Sequence, residues 1–365
     1  MIYDNYLLYV LGTIDGYTIK VKKHLRKLFI EKNIIQKDPQ MTIDGIGEDN
    51  LDVSEMALTE SVKYAIENNK KAVKIFEKWE FEKDYKYSVL FNCNGFDEVI
   101  KSVESEAKIQ GQLEDESSLT SESFNEPIYY DNDDLLMIKF NMLLSVFDLT
   151  SQNELLMKYP FIVLFNKKYN IVEFRFDVIR RVFLSEKDEQ CIYSVLVKNI
   201  RKILNDKFNI TLSPLDLDFM TNLTNANAED AIIMAEYKKL PNGGNAQLEV
   251  GKNEDYRLPI IGDLKEIIEK YKAELDKVPS LYNALNQFIF ENDELSDYTW
   301  LEIMWPAEVK TRSIRVKFIF NYKGENYTLI QHYSNNALVG MERMNNVTEY
   351  INRYKGLNQT TSQNE

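Results

Sequence analysis

Apolar positions along the chain alternate between helical and strand-like spacing. Near the start, Tyr6-Leu-Leu-Tyr-Val-Leu is an apolar run, a turn follows at Asp15-Gly16, and a basic amphipathic segment continues to about Ile30. Leu58, Val62, Ala65, Ile66, Ala72, Ile75, Phe76 and Trp79 then recur on one helix face, with Asp52 and Glu55 at capping-box spacing ahead of them. Tyr87–Asn92 reads as a short strand.

Further along, Leu135–Phe140 and Phe161–Phe165 are strand-like runs, and the stretch from Asn170 alternates with period two, so the turn at 166–170 predicts a hairpin. A helix is predicted over about 189–208, with Lys198, Arg201 and Lys202 sharing a face away from its apolar stripe. Asn242-Gly243-Gly244 predicts another hairpin turn, because glycine tolerates positive φ. Leu264, Ile267, Ile268, Tyr271 and Leu275 mark a helix that Pro279 is expected to end. The last 70 residues read as an antiparallel meander, 298–304, 314–320 and 325–333, followed by a helix over 345–355. The expected fold class is α+β in two modules, the C-terminal one with an antiparallel meander and flanking helices.

Charge sets the expected boundary between those modules. Between Asp97 and Asp134 twelve acidic residues face only Lys101 and Lys108, which accounts for −10 of the net −14. The middle of that stretch has few apolar residues and no period, the composition of a solvated linker. The expected organisation is residues 1–110 as an α+β or helical module, 111–127 as an acidic flexible linker, 128–357 as an α+β module, and 358–365 as a disordered tail. A length of 365 residues allows about two domains of roughly 150 each. No window reaches the ~18 consecutive apolar residues of a membrane span, and no secretory signal pattern opens the chain, so a cytoplasmic location and no membrane partner are expected.

Two cysteines, Cys93 and Cys191, and two histidines, His24 and His332, exclude a disulfide framework, a cysteine-rich zinc site and a histidine-rich metal centre. No glycine-rich phosphate motif or nucleophile elbow is present. The chemistry that remains is carboxylate and lysine. Asp297, followed by Pro306-Ala-Glu308-Val-Lys310, resembles the minimal core of restriction-type nucleases of the PD-(D/E)xK superfamily. The resemblance covers about 14 residues and implies two carboxylates holding magnesium and a lysine facing developing phosphate charge. Glu308 departs from that pattern, since it follows Trp305-Pro306 in a strand connection.

Basic islands offer a second kind of chemistry. Lys198, Arg201 and Lys202 could meet phosphates from one helix face. Trp300, Trp305, Tyr322, Tyr327 and Tyr333 fall among Lys310, Arg312, Arg315, Lys317 and Lys323, an interleaving that suits single strands and equally suits a packed sheet. The leading expectation is a non-catalytic interaction protein with a protein partner and no cofactor. The alternative is a magnesium-dependent nuclease or nucleic-acid-binding component of a phage-defence or mobile-element system. High Lys, Asn, Ile and Tyr usage points to an AT-rich bacterial or phage genome.

Overall fold

The structure is a computed structural model. It describes residues 2–36, 50–110, 127–148, 152–185, 188–223, 230–241, 243–249, 261–293, 295–308, 312–333 and 340–361. Among these are ten α-helices and thirteen strands, mostly paired antiparallel: an α+β architecture. The chain forms two compact units, one of Met1–Tyr85, Phe91–Ser213 and Leu338–Met341, the other of Lys86–Leu90, Pro214–Ala337 and Glu342–Glu365. The acidic segment 111–127 lies outside the described residues except for Pro127, and residues on both sides of it belong to the first unit.

The first unit begins with α1 (Ile2–Gly16) and α2 (Ile19–Glu31), the latter capped by Thr18, whose hydroxyl accepts from the Val21 amide. A short parallel pair follows, β1 (Ile35–Gln36) and β2 (Leu51–Asp52). The apolar stripe from Leu58 to Trp79 is divided between α3 (Leu58–Asn68) and α4 (Lys70–Glu82). Asn69 makes the break: its backbone is extended and its side-chain oxygen accepts from the Lys71 amide at 2.9 Å, an N-cap inserted into an otherwise continuous pattern. Val10, Ile14, Leu25, Phe29, Val62, Ile66 and Phe76 bury the faces of these four helices in one core.

Next come β3 (Tyr87–Cys93), α5 (Phe96–Gln110), β4 (Ile128–Asp131), β5 (Leu135–Asp148), β6 (Asn153–Asn166), β7 (Ile171–Phe176), α6 (Asp188–Phe208) and β8 (Leu212–Pro214). Strands β7-β6-β5-β4 form an antiparallel meander. The expected β6–β7 hairpin is present, with Asn166 accepting from the amides of Lys168 and Tyr169 and Asn170 in the left-handed region. β5 and β6 extend past the end of β7, and α1 packs along that extension. Thr13 Oγ1 donates to the Lys158 carbonyl at 2.9 Å and accepts from the Lys158 amide at 2.8 Å, so a hydroxyl satisfies strand-edge groups that no strand pairs. Gly12 permits the approach: a Cβ there would lie 1.9 Å from the Leu156 carbonyl oxygen.

The second unit contains β9 (Ile232–Lys239), β10 (Asn245–Glu249), α7 (Ile261–Lys270), α8 (Lys272–Leu275), α9 (Pro279–Asp293), β11 (Asp297–Trp305), β12 (Ile314–Ile319), β13 (Leu329–His332) and α10 (Glu342–Thr361). The β9–β10 hairpin closes at Gly243-Gly244, where Gly243 has φ 85° and the Leu240 amide reaches the Gly244 carbonyl. The expected C-terminal meander is β11-β12-β13, joined on one side by β9 and on the other by the first residues of β3. The expected helix stops at Leu275, ahead of Pro279, and Pro279 then opens α9, which the sequence pattern did not predict. The chain from Ile261 to Asp293 is therefore a helical hairpin inserted between two strands. α10 covers one sheet face with Met344, Val347, Ile351 and Tyr354, and Trp305 stacks on Tyr350 at 4.8 Å while its Nε1 donates to the Tyr354 hydroxyl. Of the expected tail, residues 358–361 are helical and 362–365 lie outside the described residues.

Candidate functional site

Of the nuclease-like residues, Asp297 and Glu308 are not brought together. Asp297 is exposed at the first position of β11 and Glu308 is exposed three residues past its end. A strand of this length separates them by roughly 25 Å at ~3.3 Å per residue, too far for one cation. Lys310 lies outside the described residues. Among those described, no three His, Cys, Asp or Glu side chains converge as a metal-binding group. On α6, Lys198 and Lys202 are exposed one turn apart, but Arg201 turns inward. Its guanidinium donates to the Leu212 carbonyl at 2.8 Å and lies 5.4 Å from the Phe91 ring, so two of the three predicted phosphate contacts face solvent.

The densest ionisable cluster is sealed. Glu77 and Glu80 on α4 meet Lys139 on β5 and Lys158 on β6, and all four side chains are 0% exposed. Lys139 Nζ lies 2.5 Å from Glu77 and 3.0 Å from Glu80; Lys158 Nζ lies 2.6 Å from Glu77 and 2.5 Å from Glu80. Tyr6 adds a hydroxyl donor to Glu77. Phe81 and Phe76 rings stand 4.7 Å from the ammonium groups of Lys139 and Lys158 respectively. Burial on its own would raise the pKa of Glu77, but the two lysines outweigh it and hold the carboxyl down to about 2. Burial likewise disfavours charge on Lys139, and Glu77 with Glu80 outweighs that, so its pKa is raised. Two positive and two negative charges cancel inside an enclosure of rings. The cluster sets how α4 seats on the sheet and offers no substrate a way in.

Exposed apolar surface gathers elsewhere. Of the fourteen exposed large hydrophobic side chains among the described residues, six lie between 261 and 293, which makes this segment the main concentration. α7 and α8 pack against α9, and the buried and half-buried apolar residues of the hairpin, Leu264, Ile268 and Leu275 on α7 and α8 and Tyr282, Leu285 and Ile289 on α9, mark the seam. Ile268 and Ile289 are its buried centre. Ile267 and Tyr271 fall about a quarter-turn before the seam on α7, and Leu281 and Phe288 fall about a quarter-turn before it on α9. In an antiparallel pair the sense of rotation reverses between the helices, so both displaced stripes emerge on the same side. Ile267 (53% exposed), Tyr271, Leu281 and Phe288 (50% exposed) therefore form one outward apolar face, with Ala284 exposed between them.

A second surface lies on the sheet of the same unit, on the face opposite α10. Register partners share a face, which places Trp300 and Glu302 of β11 with Tyr237 of β9 and Lys317 of β12, and Met304 with Arg315. The aromatic residues of the meander thus part company: Trp305 and Tyr327 are buried, whereas Trp300, Tyr237 and Tyr333 are half-buried. Tyr237 carries no local sequence signal for this face, because its membership depends on β9 pairing with β11 across the helical insertion. No protein-family model, curated protein or solved structure matches the chain.

Proposed function

We propose that the chain is a non-catalytic, intracellular interaction protein that works within a protein complex and docks its partner on the α7–α9 hairpin. The observation that carries this reading is the outward apolar face of Ile267, Tyr271, Leu281 and Phe288, presented by a hairpin whose own seam is already filled. A contiguous apolar surface of this kind on a folded chain is the usual mark of an interface. Two parallel ridges with a shallow groove between them suit an amphipathic helix of a separate protein, which would complete a three-helix layer. The test is affinity isolation of the full chain from its own cells, wild type against the Ile267→Asp/Phe288→Asp double variant. A stoichiometric protein partner that the double variant loses is the expected result. An identical set of co-purifying proteins for both forms, or a homodimer of the wild type with nothing else bound, contradicts it.

A further inference from the structure

The sheet face opposite α10 carries two groupings of ring and cation that the hairpin does not use. In the first, Trp300 and Tyr237 lie nearly parallel, 11° apart with centroids at 6.1 Å, and Lys317 Nζ stands 3.4 Å from the centre of the Trp300 ring. In the second, the Arg315 guanidinium and the Lys86 ammonium lie 5.0 Å and 4.9 Å from the Tyr333 ring. Glu302 sits between the two, buried, bonded by Arg315 and accepting from the Tyr333 hydroxyl at 3.1 Å. Burial first, then the Glu302 charge, pushes the Tyr333 pKa up to about 12, so its phenol is neutral at physiological pH. Arg315 and Lys317 are two residues apart on one strand, about 7 Å along it, and point to the same side.

A ligand that matches this surface has flat faces to lie against rings and anionic groups repeated at a spacing that reaches successive cations. Single-stranded nucleic acid has both. A duplex keeps its base faces inside its own stack, and an acidic peptide has the charge without the flat faces. We propose that this face binds single-stranded nucleic acid, with bases on the Trp300–Tyr237 pair and on Tyr333 and phosphates at Lys317, Arg315 and Lys86. Lys317 moves off the Trp300 ring as a base replaces it, exchanging a ring contact for a phosphate. Base stacking tolerates sequence, so the site reads strandedness and not sequence. The inference stands on the sheet face alone and is independent of the hairpin.

Tryptophan fluorescence gives a local readout, because Trp79 and Trp305 are buried and Trp300 is half-buried. Titrating the purified full chain with a homothymidine oligonucleotide at low salt should quench that fluorescence, and a homothymidine–homoadenine duplex should bind much more weakly. With three phosphates engaged, the slope of log K against log salt should be about −2, from ~0.7 per phosphate on a single strand. Lys317→Gln should reduce the slope by about 0.7, and Trp300→Ala should weaken binding about tenfold and abolish the quench. Lys317→Gln leaves the sheet core untouched and keeps the test valid even if Trp300→Ala unfolds. Absence of salt-dependent binding by wild type, equal affinity for the duplex, or an unchanged slope in Lys317→Gln would overturn the proposal. Loss of the hairpin's protein partner in Lys317→Gln, with no oligonucleotide binding by wild type, would assign the face to protein instead.

Discussion

At the scale of single residues, the four buried charges around Glu77 decide most. Lys139 and Lys158 are each the odd polar residue in an apolar strand run, and that oddity is visible in the sequence. Their partners are not, because Glu77 and Glu80 lie 59 to 81 positions earlier in a helix and no local pattern links them. Each ion loses several kcal/mol of hydration on burial, a loss offset only while every partner is present. Lys139→Met should therefore cost about 3–5 kcal/mol in urea unfolding, since it leaves two carboxylates sharing one lysine. Lys139→Met combined with Glu80→Leu restores neutrality and should lose less than Lys139→Met alone. A cost under ~1 kcal/mol for the single change would mean that the lysine is not paired as described. Asn69 shows the opposite kind of legibility: a cap-forming residue in plain sight, overlooked because the apolar spacing on either side stays in phase across it.

At the scale of elements, the helical hairpin is where the sequence pattern misleads. The preceding helix does stop ahead of Pro279, at Leu275, but proline also suits the first helical position, where no amide bond is needed, and it starts α9. The α9 pattern is hard to read because two apolar stripes run along it, Tyr282-Leu285-Ile289 and Leu281-Ala284-Phe288. Only the packing against α7 shows which is inside. That division can be measured. Ile268→Ala and Ile289→Ala should each destabilise by about 2–4 kcal/mol as cavities in the seam, while Ile267→Asp and Phe288→Asp should stay within ~0.5 kcal/mol of wild type. The reverse order in thermal or urea unfolding would put the outward stripe inside and remove the docking face. By contrast, the β6–β7 and β9–β10 hairpins and the β12–β13 turn are readable, because they carry Asn or Gly where the backbone is left-handed, and β12 is readable from its alternating burial.

For the whole molecule, pH should reveal how the ionic cluster is linked to folding. The Glu77 pKa is depressed to about 2, so its stabilising contribution is complete above the ordinary carboxylate value of ~4.3 and is lost as pH falls through about 2. Lys139 is raised, so its contribution is complete below the ordinary lysine value of ~10.4 and is lost only as pH rises through the higher folded value. The urea midpoint should accordingly be level from about pH 5 to 9 and fall steeply below about 4; a midpoint that rises between pH 4 and 3 would contradict the sign of the Glu77 shift. The unit boundaries were the least legible feature at this scale. Composition marks where charge is dense, whereas compact units form where distant elements pair, and α1 and α4 pack with β5 and β6 from beyond the acidic segment. The central claim, that the hairpin's outward face receives a separate protein, is tested most directly by in-cell photo-crosslinking. A photoreactive phenylalanine at position 288 is compared with one at the position of Phe147, which is at least as exposed and lies outside the hairpin. The account predicts a discrete higher-mass adduct with another protein from position 288 and none from 147; no adduct at 288, or the same adduct from both positions, would contradict it.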